Sequence, residues 1–165
     1  MDDRKVLIEA LQAIPWFQDL GDEHFQQLLG IAQMVVVDAD EDLFKEGDDE
    51  DFLYILLEGR VALEIYGPAR GRIRIYTAEP GEVIGWSSVT PVVRQRTASA
   101  KTVFDSRLVA FDALALRKLC EEDHDLGYYI MRRMANVVAG RLMVTRLQLL
   151  DLFSHPDKEE KHEKV

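Results

Sequence analysis

The hydrophobic pattern of this chain changes period twice, and these changes restrict the possible folds more than any other feature. Residues 3–13 and the segment that begins at Gly21-Asp22 carry apolar residues at helical spacing. From Met34 to about residue 112 the pattern is that of short strands separated by glycine-containing turns, and it then becomes helical again. This order predicts a mainly β fold, a jelly-roll or double-stranded β-helix, with helices at both ends.

Length and the same pattern predict the domain organisation. A chain of 165 residues fits one domain with a substantial core. We expect this domain to span residues 1–153, with the β-roll at about 34–112 and a long C-terminal helix at about 125–153. Residues 154–165 are charged and poor in apolar side chains, so they are expected to form a disordered tail.

Charge and cysteine content exclude several classes of protein. The formal net charge of −10 argues against a general nucleic-acid binder or a protein that adheres to membrane surfaces. Cys120 is the only cysteine, which excludes an intramolecular disulfide and a cysteine metal cluster and fits a reducing compartment. The N-terminus does not have the pattern of a signal peptide, and no apolar run approaches the length of a membrane span. We therefore expect a cytoplasmic protein without membrane association.

The sequence contains no pattern that predicts catalysis or a metal site. Its four histidines are scattered without the spacing of metal ligands. Asp38, Asp40 and Asp42 alternate as in a calcium loop, but the sixth and twelfth positions would be Leu43 and Asp49 instead of glycine and glutamate. No nucleophile is paired with a base. We expect a protein that is not an enzyme and that carries no metal or cofactor.

The stretch Pro80–Ala100 has the composition of an anion-binding cradle. Gly85 allows the backbone to approach a bound group closely, and a helical turn that opens near Ser87 would direct free N–H groups toward it. Arg96 would supply a charged donor fork from the other side, whereas Arg94 is expected to be solvated. The alternative for Arg96 is an arginine at the rim paired with a carboxylate. The predicted binding residues of the cradle are Gly85, Trp86, Ser87, Ser88, Arg96 and Thr97.

The long C-terminal helix carries a heptad repeat. One heptad position holds Met131, Val138, Thr145 and Leu152, and the other holds Ala135, Leu142 and Leu149. Six of these seven residues are apolar, as in a coiled-coil seam, although a single apolar stripe usually packs on the protein's own sheet. Because Val137, Val144 and Leu147 form a second apolar face, one face can cover the sheet and the other can contact a second copy. We predict a homodimer along this helix.

Several motifs together resemble the cyclic nucleotide-binding domain, and most closely the sensor half of the catabolite-activator-type bacterial regulators. The resemblance covers about residues 14–150. Its motifs are Ile14-Pro15-Trp16-Phe17, Leu20-Gly21-Asp22-Glu23, Glu46-Gly47-Asp48, the run from Asp51 to Val61, Pro80-Gly81-Glu82, and the cradle that ends in Arg96-Thr97-Ala98. The cradle resembles the phosphate-binding cassette of that family.

The resemblance implies a site and a mechanism. A cyclic nucleotide, cAMP or cGMP, would lie between the cassette and the long helix, with Arg96 paired to the cyclic phosphate and Thr97, Ser87 and Ser88 completing the contacts. The segment Arg141–Thr145 resembles the place where the family contacts the base, which nominates Thr145. Ligand binding would shift the long helix between two positions and signal to a downstream partner protein.

Two departures from the family pattern produce an alternative. Trp86 stands where the family has a glutamate that accepts a hydrogen bond from the ribose 2′-hydroxyl, and an indole offers only a donor. Trp86 could be a stacking platform, or a core or lid aromatic in a degenerate pocket, in which case the domain is a protein–protein interaction module. Thr145 could bond back to its own helix. The second departure is that the family continues into a helix-turn-helix module, whereas this chain ends soon after the long helix. DNA binding through this chain alone is therefore not expected.

Overall fold

The structure is a computed structural model that describes residues 3–90, 92–93 and 95–154. Within these residues, four α-helices and eight strands follow each other, with helices at both ends of the strands as predicted. They are α1 (Asp3–Ala13), α2 (Asp22–Leu29), β1 (Ala32–Val37), β2 (Asp42–Phe44), β3 (Phe52–Glu58), β4 (Val61–Gly67), β5 (Gly71–Ala78), β6 (Val83–Ile84), β7 (Ser99–Thr102), β8 (Ser106–Asp112), α3 (Ala113–Glu122) and α4 (His124–Ser154). Short 3₁₀ turns lie at Pro15–Phe17 and Trp86–Val89.

Two four-stranded antiparallel sheets form the β-roll. Their strand orders are β1-β8-β3-β6 and β2-β7-β4-β5. Consecutive strands alternate between the sheets at several points, so the chain crosses from one sheet to the other as a jelly roll requires. The predicted mainly β fold with helices at both ends is confirmed.

Strand β3 separates two hydrophobic clusters, because its side chains are buried on both faces. Leu53 and Ile55 point into a cluster shared with the helices, and Tyr54 and Leu56 point into a cluster between the two sheets. Successive residues of a strand face opposite sides, so a strand covered on both sides needs an unbroken apolar run. This requirement explains the sequence of β3, Phe-Leu-Tyr-Ile-Leu-Leu-Glu.

The second sheet alternates less regularly than its sequence suggests. A bulge in the pairing of β4 with β5 lies between Leu63 and Glu64. Val61 is fully buried, but Leu63 and Ile65 are only half-buried. A bulge places an extra residue in one strand and so shifts which side chains face inward.

Helix α4 begins in the core and continues beyond it. Leu126, Ile130 and Met134 are buried, whereas most apolar side chains after residue 140 are exposed. The predicted tail starts at Ser154, which is the last helical residue, and the remainder of that tail lies outside the described residues. Among the helices that the structure describes, none combines the length and apolarity that crossing a membrane requires.

Candidate functional site

The cassette begins where β6 ends. Gly85 has φ of 81°, in the left-handed region that disfavours residues with a Cβ, and the 3₁₀ turn Trp86–Val89 follows it directly. A Cβ at Gly85 would also overlap the Nη1 atom of Arg96. Glycine is therefore needed at this position for two separate reasons, its backbone conformation and its contact with the arginine.

Arg96 is buried against the start of the cassette, with 4% of its surface exposed. Its Nη2 donates to the carbonyl oxygen of Phe52 at 2.6 Å, and its Nη1 donates to that of Gly85 at 3.4 Å. The guanidinium carbon lies 4.1 Å from the centroid of the Phe44 ring. Burial lowers the pKa of Arg96, because removal from water disfavours the charged form.

The Arg96 guanidinium keeps a buried donor atom without an acceptor. Its Nε is buried and has no hydrogen-bond acceptor. Within the described part of the chain, Arg96 forms no ion pair with a carboxylate, although Asp48, Glu50 and Asp51 lie close enough to favour its charge. A buried guanidinium that contacts only carbonyls and an aromatic ring has no opposite charge to compensate its own, and an anion would supply one. This arrangement differs from the alternative of a rim arginine paired with a carboxylate.

Backbone contacts fix Arg96 beside the acidic segment that precedes β3. The Arg96 N–H donates to the carbonyl of Asp48, and the Gly47 N–H donates to the carbonyl of Arg96, each at 2.9 Å. An isolated β-bridge joins Asp49 to Gln95. Glycine at position 47, with φ of 87°, permits the turn from which this pairing starts.

The remaining cassette residues point in different directions. Trp86 is half-buried and packs against the cluster shared with the helices. Ser87 and Ser88 are buried, and the Ser88 hydroxyl has no hydrogen-bond partner. The Ser88 carbonyl accepts a hydrogen bond of 2.6 Å from Arg117 on α3. Thr97 is exposed, and Arg94, which we expect to be solvated, lies outside the described residues.

Thr145 is exposed on α4, and its hydroxyl donates to the carbonyl oxygen of Arg141 at 2.9 Å. This is the back-bonding to its own helix that the sequence left open as an alternative. In this conformation the hydroxyl hydrogen of Thr145 is used within α4.

A cavity of about 270 Å³, which we call the helix-side cavity, lies between α4 and the connection from β5 to β6. Its polar and aromatic lining consists of Trp16, Tyr76, Glu82, Arg133, Asn136 and Arg141. None of the seven residues predicted to bind a ligand lines this cavity. Sequence analysis missed it, although the i, i+3 and i+4 spacing of its α4 residues places them on one helical face.

Arg141 connects α4 to the strand that leads into the cassette. Its Nη2 donates to the carbonyl of Val83 at 3.0 Å, and its guanidinium carbon lies 3.5 Å from the centroid of the Tyr76 ring. Burial lowers the pKa of Arg141. Burial, together with the 2.5 Å hydrogen bond that its hydroxyl donates to Glu82, raises the pKa of Tyr76.

Other reactive groups are isolated. Burial raises the pKa of the Cys120 thiol to about 11, which keeps it protonated and unreactive at neutral pH. Across residues 3–90, 92–93 and 95–154, no three His, Cys, Asp or Glu side chains come together in a way that could hold a metal ion.

Comparison with known proteins relates this geometry to one family. The family model described as the cyclic nucleotide-binding domain matches residues 34–123, from β1 to the beginning of the connection into α4. A curated relative from Mycobacterium tuberculosis, named as a CRP-like cAMP-activated global transcriptional regulator, is 32% identical over 111 residues. This match covers 67% of the chain and 47% of the relative. The chain spans about a third to a half of the length of the curated relatives it matches.

Solved structures agree with this relationship. The N-terminal domain of a transcriptional regulator from Streptomyces coelicolor is 27% identical, with a TM-score of 0.62, and the match covers 85% of this chain and 94% of that one. A cyclic nucleotide-binding domain from Methylobacillus flagellatus is 24% identical, with a TM-score of 0.73 and coverage of 90% and 83%. The second similarity is informative about the fold alone.

Proposed function

We propose that this chain, which belongs to the cyclic nucleotide-binding domain family, senses a cyclic nucleotide or a related phosphorylated small molecule and regulates a partner protein. We propose cAMP or cGMP as the ligand, and regulation in place of catalysis. The observation that carries the proposal is the guanidinium of Arg96, which is buried, pairs with no carboxylate in the described part of the chain, and has an Nε donor without an acceptor.

A bound phosphate would improve the surroundings of this guanidinium. Its present partners are two carbonyl oxygens, one of them at 3.4 Å, and these supply partial charges only. A phosphate oxygen would accept a charge-assisted hydrogen bond from Nε, and such bonds contribute roughly 1.5–3 kcal/mol each. Gly85 supports this binding mode, because any Cβ at that position would occupy the space of Nη1.

We further propose that ligand binding is transmitted to α4 through Arg141. Val83, whose carbonyl accepts from Arg141, lies two residues before Gly85. A second bond, from Gln148 to the carbonyl of Ile75 at 2.9 Å, attaches α4 to β5. A change in the cassette would alter the first anchor and shift the population of α4 positions toward one that a downstream partner recognises.

Calorimetric and thermal-shift titrations of the whole chain with cAMP, cGMP and a cyclic dinucleotide test the proposal. At a hundred times Kd a ligand adds about 2.7 kcal/mol to the free energy of unfolding. We expect Arg96→Lys, which retains the charge but loses the donor fork, to weaken binding about tenfold or more. The control is Arg107→Lys, because the half-buried Arg107 pairs with the exposed carboxylate of Glu58 and is not one of the predicted binding residues.

A competing function is a protein–protein interaction module whose pocket no longer binds nucleotides. Three contacts favour it: Trp86 packs against the core, and the Phe44 ring and the Phe52 carbonyl both contact the Arg96 guanidinium. If no nucleotide produces a saturable shift at millimolar concentration, the sensing proposal fails and this function remains. If binding occurs and is equal in wild type and Arg96→Lys, the assignment of Arg96 is wrong.

We also propose that the chain forms a homodimer through the exposed heptad positions of α4. Leu142, Leu149 and Leu152 are more than half exposed in the single chain, so a second copy would remove their apolar surface from water. Sedimentation velocity should detect a dimer that the double substitution Leu142→Lys and Leu149→Lys dissociates. Met143→Lys, at an exposed position outside the heptad, serves as the control. A dimer that survives the double substitution would contradict this interface.

We also make proposals about the cellular location of the protein and about DNA binding. We propose a cytoplasmic location because Cys120 is the only cysteine of the sequence, which fits a reducing compartment. The relative from Mycobacterium tuberculosis is named as a transcriptional regulator, but the match covers less than half of that protein. We therefore propose no DNA binding through the residues of this chain.

A further inference from the structure

We propose that the helix-side cavity is a second ligand site, which binds a small aromatic carboxylate. This site shares no residue with the predicted cassette site, but two of its lining residues, Arg141 and Val83, form the anchor through which we propose that nucleotide binding reaches α4. Its walls come from α4, from the connection between β5 and β6, and from Trp16 in the N-terminal segment.

The charge of the cavity favours an anion. Two guanidinium groups, those of Arg133 and Arg141, line it together with a single carboxylate, Glu82. Both oxygens of Glu82 already accept hydrogen bonds, Oε1 from the Tyr76 hydroxyl at 2.5 Å and Oε2 from the Glu79 N–H at 2.7 Å. The oxygens of this carboxylate are therefore occupied, and the two positive charges of the arginines exceed its one negative charge.

Both arginines retain donor capacity. Nη1 of Arg141 is buried without an acceptor, since the bond to Val83 uses Nη2. The polar contacts of Arg133 within the described residues are long, 3.5 Å to the exposed carboxylate of Asp19 and 3.4 Å to the Tyr129 hydroxyl. Guanidinium groups bind planar carboxylates through paired N–H donors, so a carboxylate matches this donor set. The amide of Asn136 can orient the ligand.

The remaining wall is apolar and aromatic. Trp16 is half-buried, with its ring stacked near Tyr129 at a centroid distance of 6.4 Å, and Val83 and Val137 complete the apolar lining. The volume of about 270 Å³ lies just below the usual range for ligand sites, roughly 300–1,000 Å³. A ligand with one aromatic ring and one carboxylate fits these dimensions and this chemistry.

Gly140 provides a direct way to close the cavity. It lines the cavity, and a Cβ at this position would meet no atom within 4 Å, so a larger side chain can enter without backbone strain. Gly140→Leu is therefore expected to fill the space and to preserve the fold. Ala139→Leu is the matched control, because Ala139 is the preceding residue on the same helix, is exposed, and does not line the cavity.

The experiment is a fluorine NMR titration of the whole chain with 4-fluorobenzoate, and with the uncharged 4-fluorobenzamide for comparison. We expect saturable benzoate binding in the millimolar range or tighter and at least about tenfold weaker benzamide binding. Gly140→Leu should weaken benzoate binding about tenfold or more, and Ala139→Leu should leave it within about twofold. Arg133→Gln provides a second weakening variant if Gly140→Leu folds poorly.

Three results would overturn the inference. The first is no saturable benzoate signal up to about 10 mM, which is weaker than any useful affinity for a preformed site. The second is equal binding of benzoate and benzamide, which would remove the role of the arginines. The third is benzoate binding that neither Gly140→Leu nor Arg133→Gln reduces, which would place the ligand elsewhere on the molecule. Arg96→Lys should leave benzoate binding unchanged, whatever the outcome of the nucleotide titration.

Discussion

The two halves of α4 have similar apolar content but opposite surroundings. In the first half, Leu126, Ile130 and Met134 are buried against the β-roll and α3. In the second half, Leu142 and Leu149 lie seven residues apart on one face of the helix but are more than half exposed. The difference teaches that an apolar stripe identifies a surface that needs a partner, but does not identify the partner. For the first half the partner is the chain's own core, and for the second half we propose another copy.

The largest expected difference in stability is between shortening a buried side chain in the first half of α4 and shortening an exposed heptad side chain in the second half. Ile130→Ala should lower the free energy of unfolding by about 2–5 kcal/mol, because it leaves a cavity in a fully buried position. Leu149→Ala should change the stability of the isolated chain by about 0.5 kcal/mol or less, because an exposed side chain loses little burial. Urea unfolding at low protein concentration measures both.

Equal destabilisation by the two truncations would mean that the second half is buried in the free chain. A cost for Leu149→Ala that appears only at high protein concentration would support the dimer, since stability then depends on association.

A smaller difference in stability is expected between two glycine-to-alanine substitutions in the same helix. A Cβ at Gly127 would lie 2.5 Å from the carbonyl oxygen of Cys120, so Gly127→Ala should force α3 and α4 apart and cost about 1–3 kcal/mol. Gly140→Ala meets no atom and should stabilise the helix by about 0.5–1 kcal/mol. Thermal denaturation should separate the two variants in opposite directions, and a shift of the same sign in both would contradict the packing argument.

The smallest expected effect on stability comes from Asp123, which directly precedes α4, and this effect depends on pH. The backbone N–H of Leu126, together with His24 and the N–H of Asp125, holds the pKa of Asp123 below its usual value of 3.8. A carboxyl group with a lowered folded-state pKa contributes stability above its unfolded pKa, and this contribution disappears as the pH falls through the folded value. The advantage of wild type over Asp123→Asn should therefore be constant near neutrality and should shrink below about pH 4.

Thermal melting of both proteins between pH 7 and pH 3 measures this difference. An advantage that persists unchanged at pH 3 would show that the charge of Asp123 does not anchor the beginning of α4. Exposed heptad residues of the second half are uncharged, so substitution of Leu149 by alanine should show no comparable pH dependence.

Much of the fold could be predicted because local pattern and tertiary environment agree. The unbroken apolar run of β3 reflects burial on both faces, and the helical spacing after residue 112 predicted the long C-terminal helix. The bulge between Leu63 and Glu64 could not be predicted, because it depends on the register that β4 adopts with its neighbour. The helix-side cavity was missed for a similar reason, since its walls come from three separate segments of the chain.

The sequence by itself determined the period of each segment, the glycine at position 85 and the position of Arg96 in the cassette, because these are local properties of the chain. Only the tertiary structure decided what Arg96 contacts, since Phe52 is 44 residues away along the chain. It also decided where α4 leaves the core and how the Thr145 hydroxyl is bonded. Long-range packing sets the burial of each side chain, and burial determines which polar groups keep a free donor for a ligand.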